Sequence, residues 1–149
     1  MTTYVRTELR RLVESRARRT CEYCLIHEDD TYLGCQVDHV IAEKHGGATA
    51  EDNLSYACTC CNRAKGSDVG SIAVGTGEFV RLFNPRTDRW GEHFRLNGAV
   101  IESRTAIGEA TIRLLGMNEP ERILERRALR EAKRYPPPTT NEHLPGDGA

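Results

Sequence analysis

Four of the six cysteines stand in two C-x-x-C pairs, Cys21 with Cys24 (CEYC) and Cys58 with Cys61 (CTCC). Each such pair wraps one edge of a tetrahedral metal and two together close it, the spacing of a structural zinc site. The segment they bracket is loop-rich, so bound zinc would supply folding free energy that its few apolar residues cannot. Zinc alone would make a binding finger. This segment also carries Asp38 beside His39, a Gly46-Gly47 pair, Asn53-Leu54, and, directly after the last cysteine, Asn62, Lys65 and Gly66. Those side chains add a titratable imidazole and oxygen donors for a hard cation to a centre that is otherwise structural. Cys35 and Cys60 belong to neither pair and read as buried, reduced packing thiols.

The order C-x-x-C, Asp38-His39, GG-x5-N-L and C-x-x-C-N-x-x-K-G resembles the HNH endonucleases, in particular a zinc-bearing subgroup whose cysteine pairs flank a ββα-metal active site. DHVIAEKHGG and EDNLSYACTCCNRAKG carry the likeness. LFNPRTDRWGEHF, NGAVIESRTAIGEAT and RLLGMN extend it, to a standalone bacterial group, over about residues 5 to 130. Two positions depart from the family pattern. The third motif residue, often His, is Asn62, which keeps an oxygen donor, and a proline frequent after the first motif is replaced by Ala42.

Hydrolysis of a phosphodiester needs a base for the attacking water, a cation against the developing charge, and help for the leaving oxygen. His39 suits the base role, because a free imidazole, titrating near ~6.5, is largely deprotonated at neutral pH. Asp38, its neighbour, faces the other way if the pair is extended, so it does not orient His39. The resemblance implies instead that Asp38 holds Mg²⁺ or another divalent cation, with Asn62 as a second, neutral oxygen ligand. It further implies that Asn53 ties down the loop carrying the histidine, and that cleavage leaves a 5′-phosphate and a 3′-hydroxyl. DNA is the expected substrate and partner, and RNA stays open, since such a site reads phosphate rather than sugar. Lys65 either contacts phosphate or caps its short helix. His45 sits in a loop, Trp90, His93 and Phe94 fall in the downstream block where packing is the commoner fate, His27 is unnecessary beside four thiols, and His143 lies in the tail.

These residues need elements to position them. Val5, Leu9, Leu12 and Val13 recur at helical spacing, predicting an amphipathic helix over 4–18. YLGCQVDHVI, 32–41, predicts a pair of short strands with Asp38 and His39 at their junction, and 61–65 a short helix closed by Gly66. The glycine-rich run 66–78 reads as a connector. Beyond it, strands are expected over 79–83, 90–96 and 99–103, with Asn97-Gly98 as a type I′ turn. A helix is expected around Ile107, Ala110, Leu114 and Leu115, and a last one from an Asn118 N-cap to Arg134, ended by Pro136, Pro137 and Pro138. The fold class is therefore α+β: a zinc-stapled ββα-metal core over 21–66, preceded by a helix and followed by a hairpin and two helices. Residues 1–135 are expected to form one domain and 136–149 a disordered tail.

The 149-residue length fits one core. No stretch nears the ~20 apolar residues that span a bilayer, and no apolar run follows the basic start, so a cytoplasmic location without membrane contact is expected. A formal net charge of −1 does not describe a protein that merely coats nucleic acid. Charge is instead grouped: Arg6, Arg10, Arg11, Arg16, Arg18 and Arg19 at the start, and Arg81, Arg86, Arg89 and Arg95 in the middle, follow phosphates or form solvated faces. The rival functions are a non-catalytic zinc-stabilised nucleic-acid-binding module, an RNA-directed nuclease and a protein-interaction zinc domain. The joint presence of Asp38, His39 and Asn62 favours the enzyme.

Overall fold

The computed structural model describes residues 4–138, so the expected tail and His143 lie largely outside it; Pro137, within it, is buried. Helix α1 (Thr7–Arg16) buries Val13 and leads through left-handed Arg18 and Arg19 into the first cysteine pair. Strand β1 (Cys35–His39) pairs antiparallel with β2 (Leu54–Cys58), setting Asp38 opposite Ser55 and His39 opposite Leu54. Helix α2 (Thr59–Lys65) follows β2 without a loop and ends at Gly66, which has φ +52°. Next come the hairpin β3 (Gly70–Ile72) with β4 (Phe79–Arg81), the one-turn helix α3 (Trp90–His93), and the hairpin β5 (Phe94–Asn97) with β6 (Val100–Ser103). Helices α4 (Ala106–Leu115) and α5 (Pro120–Glu131) complete an α+β fold of five helices and three two-stranded antiparallel sheets among the described residues.

The expected ββα core, the leading helix, the hairpin and the two following helices are all present, and the differences have local causes. YLGCQVDHVI forms a single strand, not two; its partner is the uniformly buried run LSYAC, whose lack of alternation hides it as a strand. The glycine-rich 66–78 is not a bare connector, because it contains β3, where Phe79 lies over Gly70 so closely that a Cβ there would meet its ring at 2.3 Å. The β5–β6 turn is Gly98-Ala99, one residue later than expected, with positive φ at Gly98 alone, the pattern of a II′ rather than a I′ turn. Asn118 does not cap α5; Glu119 stands there, and Asn118 instead pairs with both backbone groups of Ile101 (3.1 and 2.7 Å).

Two apolar clusters hold the elements. Val5, Val13, Ala17, Leu54 and Tyr56 pack α1 onto β2. The larger one joins the zinc-type cysteines, Tyr23, Leu25 and Ile26 to Leu82, Phe83, Trp90, Phe94, Ile101, Leu115, Met117 and Tyr135, so the first and second halves of the chain share a core. Thr105 caps α4 through the N–H of Gly108 (3.0 Å), and Gly108 itself is required because a Cβ would lie 2.1 Å from the His93 carbonyl oxygen.

Candidate active site and zinc centre

The four paired cysteines converge. Their sulfurs lie within 4.8 Å of one another, all buried, and the Cys24 and Cys58 Sγ atoms are 3.7 Å apart. Four Zn–S bonds of ~2.3 Å in a tetrahedron would separate sulfurs by about 3.8 Å, so the cluster has the size of a zinc centre. Backbone N–H groups of Cys24 and Cys61 point at the sulfurs of Cys21 and Cys58 (3.4 Å each), as the first cysteine of each pair requires. Hydrogen bonds from Cys21, Cys58 and Cys61, with the charge of Arg122, hold the Cys24 thiol below its usual range. His27 is not among the converging ligand atoms; its Nδ1 caps a turn by accepting from the Asp29 N–H (3.0 Å).

The second half of the chain supplies what surrounds this centre, and the sequence alone did not disclose it. Arg122 on α5 donates to Cys61 Sγ (3.1 Å) while its other nitrogen donates to the carbonyls of Leu115 and Gly116 (2.8 and 3.1 Å). Burial would lower its pKa, but negative charge on the neighbouring Cys61, Cys24 and Cys58 sulfurs outweighs that and raises it, so the guanidinium stays charged against the sulfurs. Trp90 Nε1 donates to the Tyr23 carbonyl (2.7 Å) and the Tyr135 hydroxyl to the Cys24 carbonyl (2.7 Å), fixing the loop between the first two cysteines.

The polar motif residues gather on the ββα unit. Gln36 and Asp38, two apart on β1, share a face, and Asn62 and Lys65, one turn apart on α2, lie against it. Asn62 Nδ2 bonds Gln36 Oε1, and Lys65 Nζ bonds Asp38 Oδ2 at 3.0 Å and the His39 carbonyl at 2.9 Å. The Asp38 carboxylate and the Asn62 amide thus lie on the same β1–α2 face, and both are oxygen donors of the kind a hard cation such as magnesium takes. Lys65 is 2% exposed, so it neither reaches a phosphate nor caps its helix as expected.

His39 ends β1, 7% exposed, with Nε2 2.8 Å from Thr49 Oγ1. When Nε2 carries the proton donated to Thr49, Nδ1 keeps the lone pair a base uses. Asn53 sits beneath this loop. Its Oδ1 accepts from the Ile41 N–H (3.0 Å) and its Nδ2 donates to the Ile41 and Ala48 carbonyls (2.9 and 2.8 Å), spanning the segment between His39 and Thr49. Gly47 must be glycine here, since a Cβ would lie 1.7 Å from the Ile41 oxygen.

The remaining candidates separate cleanly. His45 is exposed in a short 3-10 turn. His93 is buried, bonded to Thr105 Oγ1 (2.7 Å) and edge-on to Phe83, and Trp90 and Phe94 are core, so none of the three faces a ligand. Cys35 is half-buried with its thiol pushed up by burial, whereas Cys60 is exposed and is not the packing thiol expected. Six of the ten grouped arginines serve the fold: Arg10 donates to the Val5 carbonyl, Arg16 to the Leu54 carbonyl, Arg19 pairs with Glu28 and Asp29, Arg81 with Asp88, Arg86 with Glu22 and Arg95 with Glu102. The side chains of Arg6, Arg11 and Arg89 are exposed without such a partner among the described residues.

A ββα unit thus carries a four-thiol cluster that could hold zinc, beside Asp, His and Asn side chains. Residues 21–68, about a third of the chain, match the family model for HNH endonuclease. The family is one of nucleases that act on nucleic acids with divalent metals. Neither curated proteins nor solved structures gave a match. No helix among the described residues is long and apolar enough to cross a membrane.

Proposed function

We propose that the protein is a metal-dependent DNA endonuclease, a zinc-bearing HNH enzyme, in which residues 1–135 act as one domain in the cytoplasm. The observation that carries this reading is the packing of Asn62 and Lys65 of α2 on Gln36 and Asp38 of β1, with His39 at the end of that strand held by Thr49. Zinc, bound by Cys21, Cys24, Cys58 and Cys61, is structural. Asp38 and Asn62 hold a divalent cation, Mg²⁺ in the simplest case, which when bound neutralises charge on the reacting phosphate. His39 takes the proton of the attacking water through Nδ1, and Thr49 fixes its ring. Asn53 holds the loop and touches no reacting atom. Arg11 and Arg89 contact backbone phosphates.

The test is cleavage of supercoiled plasmid, linear duplex, single-stranded DNA and RNA by purified protein with Mg²⁺. His39→Ala should keep its zinc and fold and lose at least about 10²-fold in rate, the usual contribution of a positioned base. Cleavage by folded His39→Ala at the wild-type rate would refute the mechanism, and a preference for RNA would refute the DNA assignment.

A further inference from the structure

The cluster proposed to hold the catalytic cation already contains a cation. Lys65 is buried, and its ammonium is bonded to Asp38 Oδ2 at 3.0 Å and to the His39 carbonyl at 2.9 Å. Asp38 is the one carboxylate in the cluster, and Asn62 and Gln36 are neutral. The ligand set therefore sums to no net charge before a divalent ion arrives, and such ions are held chiefly by ligand charge. The geometry leaves the other Asp38 oxygen, Oδ1, without a hydrogen bond among the described residues, on a side chain 18% exposed. Lys65 thus occupies one oxygen and leaves the other available. Gln36, by accepting from Asn62 Nδ2, leaves the Asn62 carbonyl oxygen free as a ligand.

We infer that Lys65 is a resident countercharge that keeps the free site weak for divalent cations, so that the negative charge needed for firm metal binding comes from the phosphodiester itself. Metal and nucleic acid then bind cooperatively, each strengthening the other by the same factor. The site remains poorly loaded when no substrate lies across it. Lys65 acts through Asp38 and the His39 backbone and touches no reacting group, so it is a positioning residue. The inference rests on the proposed role of Asp38 as a metal ligand.

Mn²⁺ binding to zinc-loaded His39→Ala protein tests it, read as loss of the free-ion EPR signal with and without a short DNA duplex. The duplex's own Mn²⁺ uptake is measured in parallel and subtracted. The duplex should tighten binding by on the order of tenfold or more, the effect of a unit charge a few ångströms away even in water-like screening. Lys65→Gln in the same background keeps a donor for the His39 carbonyl but removes the charge. Its free form should bind Mn²⁺ about tenfold tighter and gain less from the duplex.

Equal Mn²⁺ affinity with and without duplex would overturn the inference, and this arm needs no Lys65 variant to fold. So would a folded Lys65→Gln protein that binds no more tightly than its parent. Mn²⁺ binding that survives Asp38→Ala would instead overturn the assignment of the metal to Asp38, a different failure with a different signature.

Discussion

Thr49 shows how a residue of ordinary appearance becomes specific in the folded chain. It lies ten positions from His39 in a loop with no regular period, so no pattern in the sequence pairs them; only the fold brings Oγ1 to 2.8 Å from Nε2. If this bond fixes the ring and its tautomer, Thr49→Val should fold normally and lower the cleavage rate by roughly tenfold, the lower end of what supporting bonds to a functional histidine contribute. Thr49→Ser should restore it. An unchanged rate in Thr49→Val would remove Thr49 from the mechanism. At this scale the cysteine pairs were legible because each half of the site is local, three residues apart. Arg122, 61 residues beyond Cys61, carried no such mark. Lys65 was visible as part of the motif, but its burial against Asp38 could not be read from a lysine after a short polar run.

Elements were legible wherever their pattern was periodic. Helices α1 and α4 follow their apolar spacing. The β5–β6 hairpin was legible as a hairpin, but residues 90–93, expected as strand, are helix α3, and the hairpin's turn falls one residue later. Strand β2 was hidden because every one of its residues is buried. Asn118 misled because Asn before a helix has two uses, and bonding the backbone of β6 won over capping α5. The turn after β4 offers a test of such local bonding. Asp88 accepts both terminal nitrogens of Arg81 (2.7 and 3.0 Å) and the Asn84 N–H (2.9 Å). Burial raises its pKa, but these bonds outweigh burial and hold the carboxyl below its usual range. A depressed folded-state pKa stabilises above the unfolded value, and that stability is lost as pH falls through the folded one. Asp88→Asn should therefore cost about 1 kcal/mol near neutrality, discounted for the exposed Arg81. The gap to wild type, measured by denaturant unfolding, should shrink as pH drops below ~4. A gap that widens in acid would contradict this account.

Across the whole molecule, charge and zinc decide behaviour that no single element does. Many arginines bond within the chain, but the exposed Arg6, Arg11, Arg63, Arg89, Arg127 and Arg130 have no side-chain hydrogen bond or ion pair among the described residues. Arg11 and Arg89, one from each basic group of the sequence, are the pair proposed for phosphate. Replacing both by Ala should weaken DNA binding similarly across sequences and reduce the salt slope by about one unit per lost phosphate contact. An unchanged slope would return them to solvated surface. Zinc binding worth ~10–16 kcal/mol matches or exceeds the ~5–15 kcal/mol that holds a typical domain together, so losing the metal should unfold much of the shared core. Cys21→Ser should accordingly be purified short of zinc and melt at lower temperature. The bond from Trp90 to the Tyr23 carbonyl makes this process visible. Trp90 is the only tryptophan, 5% exposed, and its indole is clasped to the cysteine loop it would report on. The chain thus carries its own optical gauge: chelation should red-shift its fluorescence as the indole meets water, in step with zinc release, with no label attached.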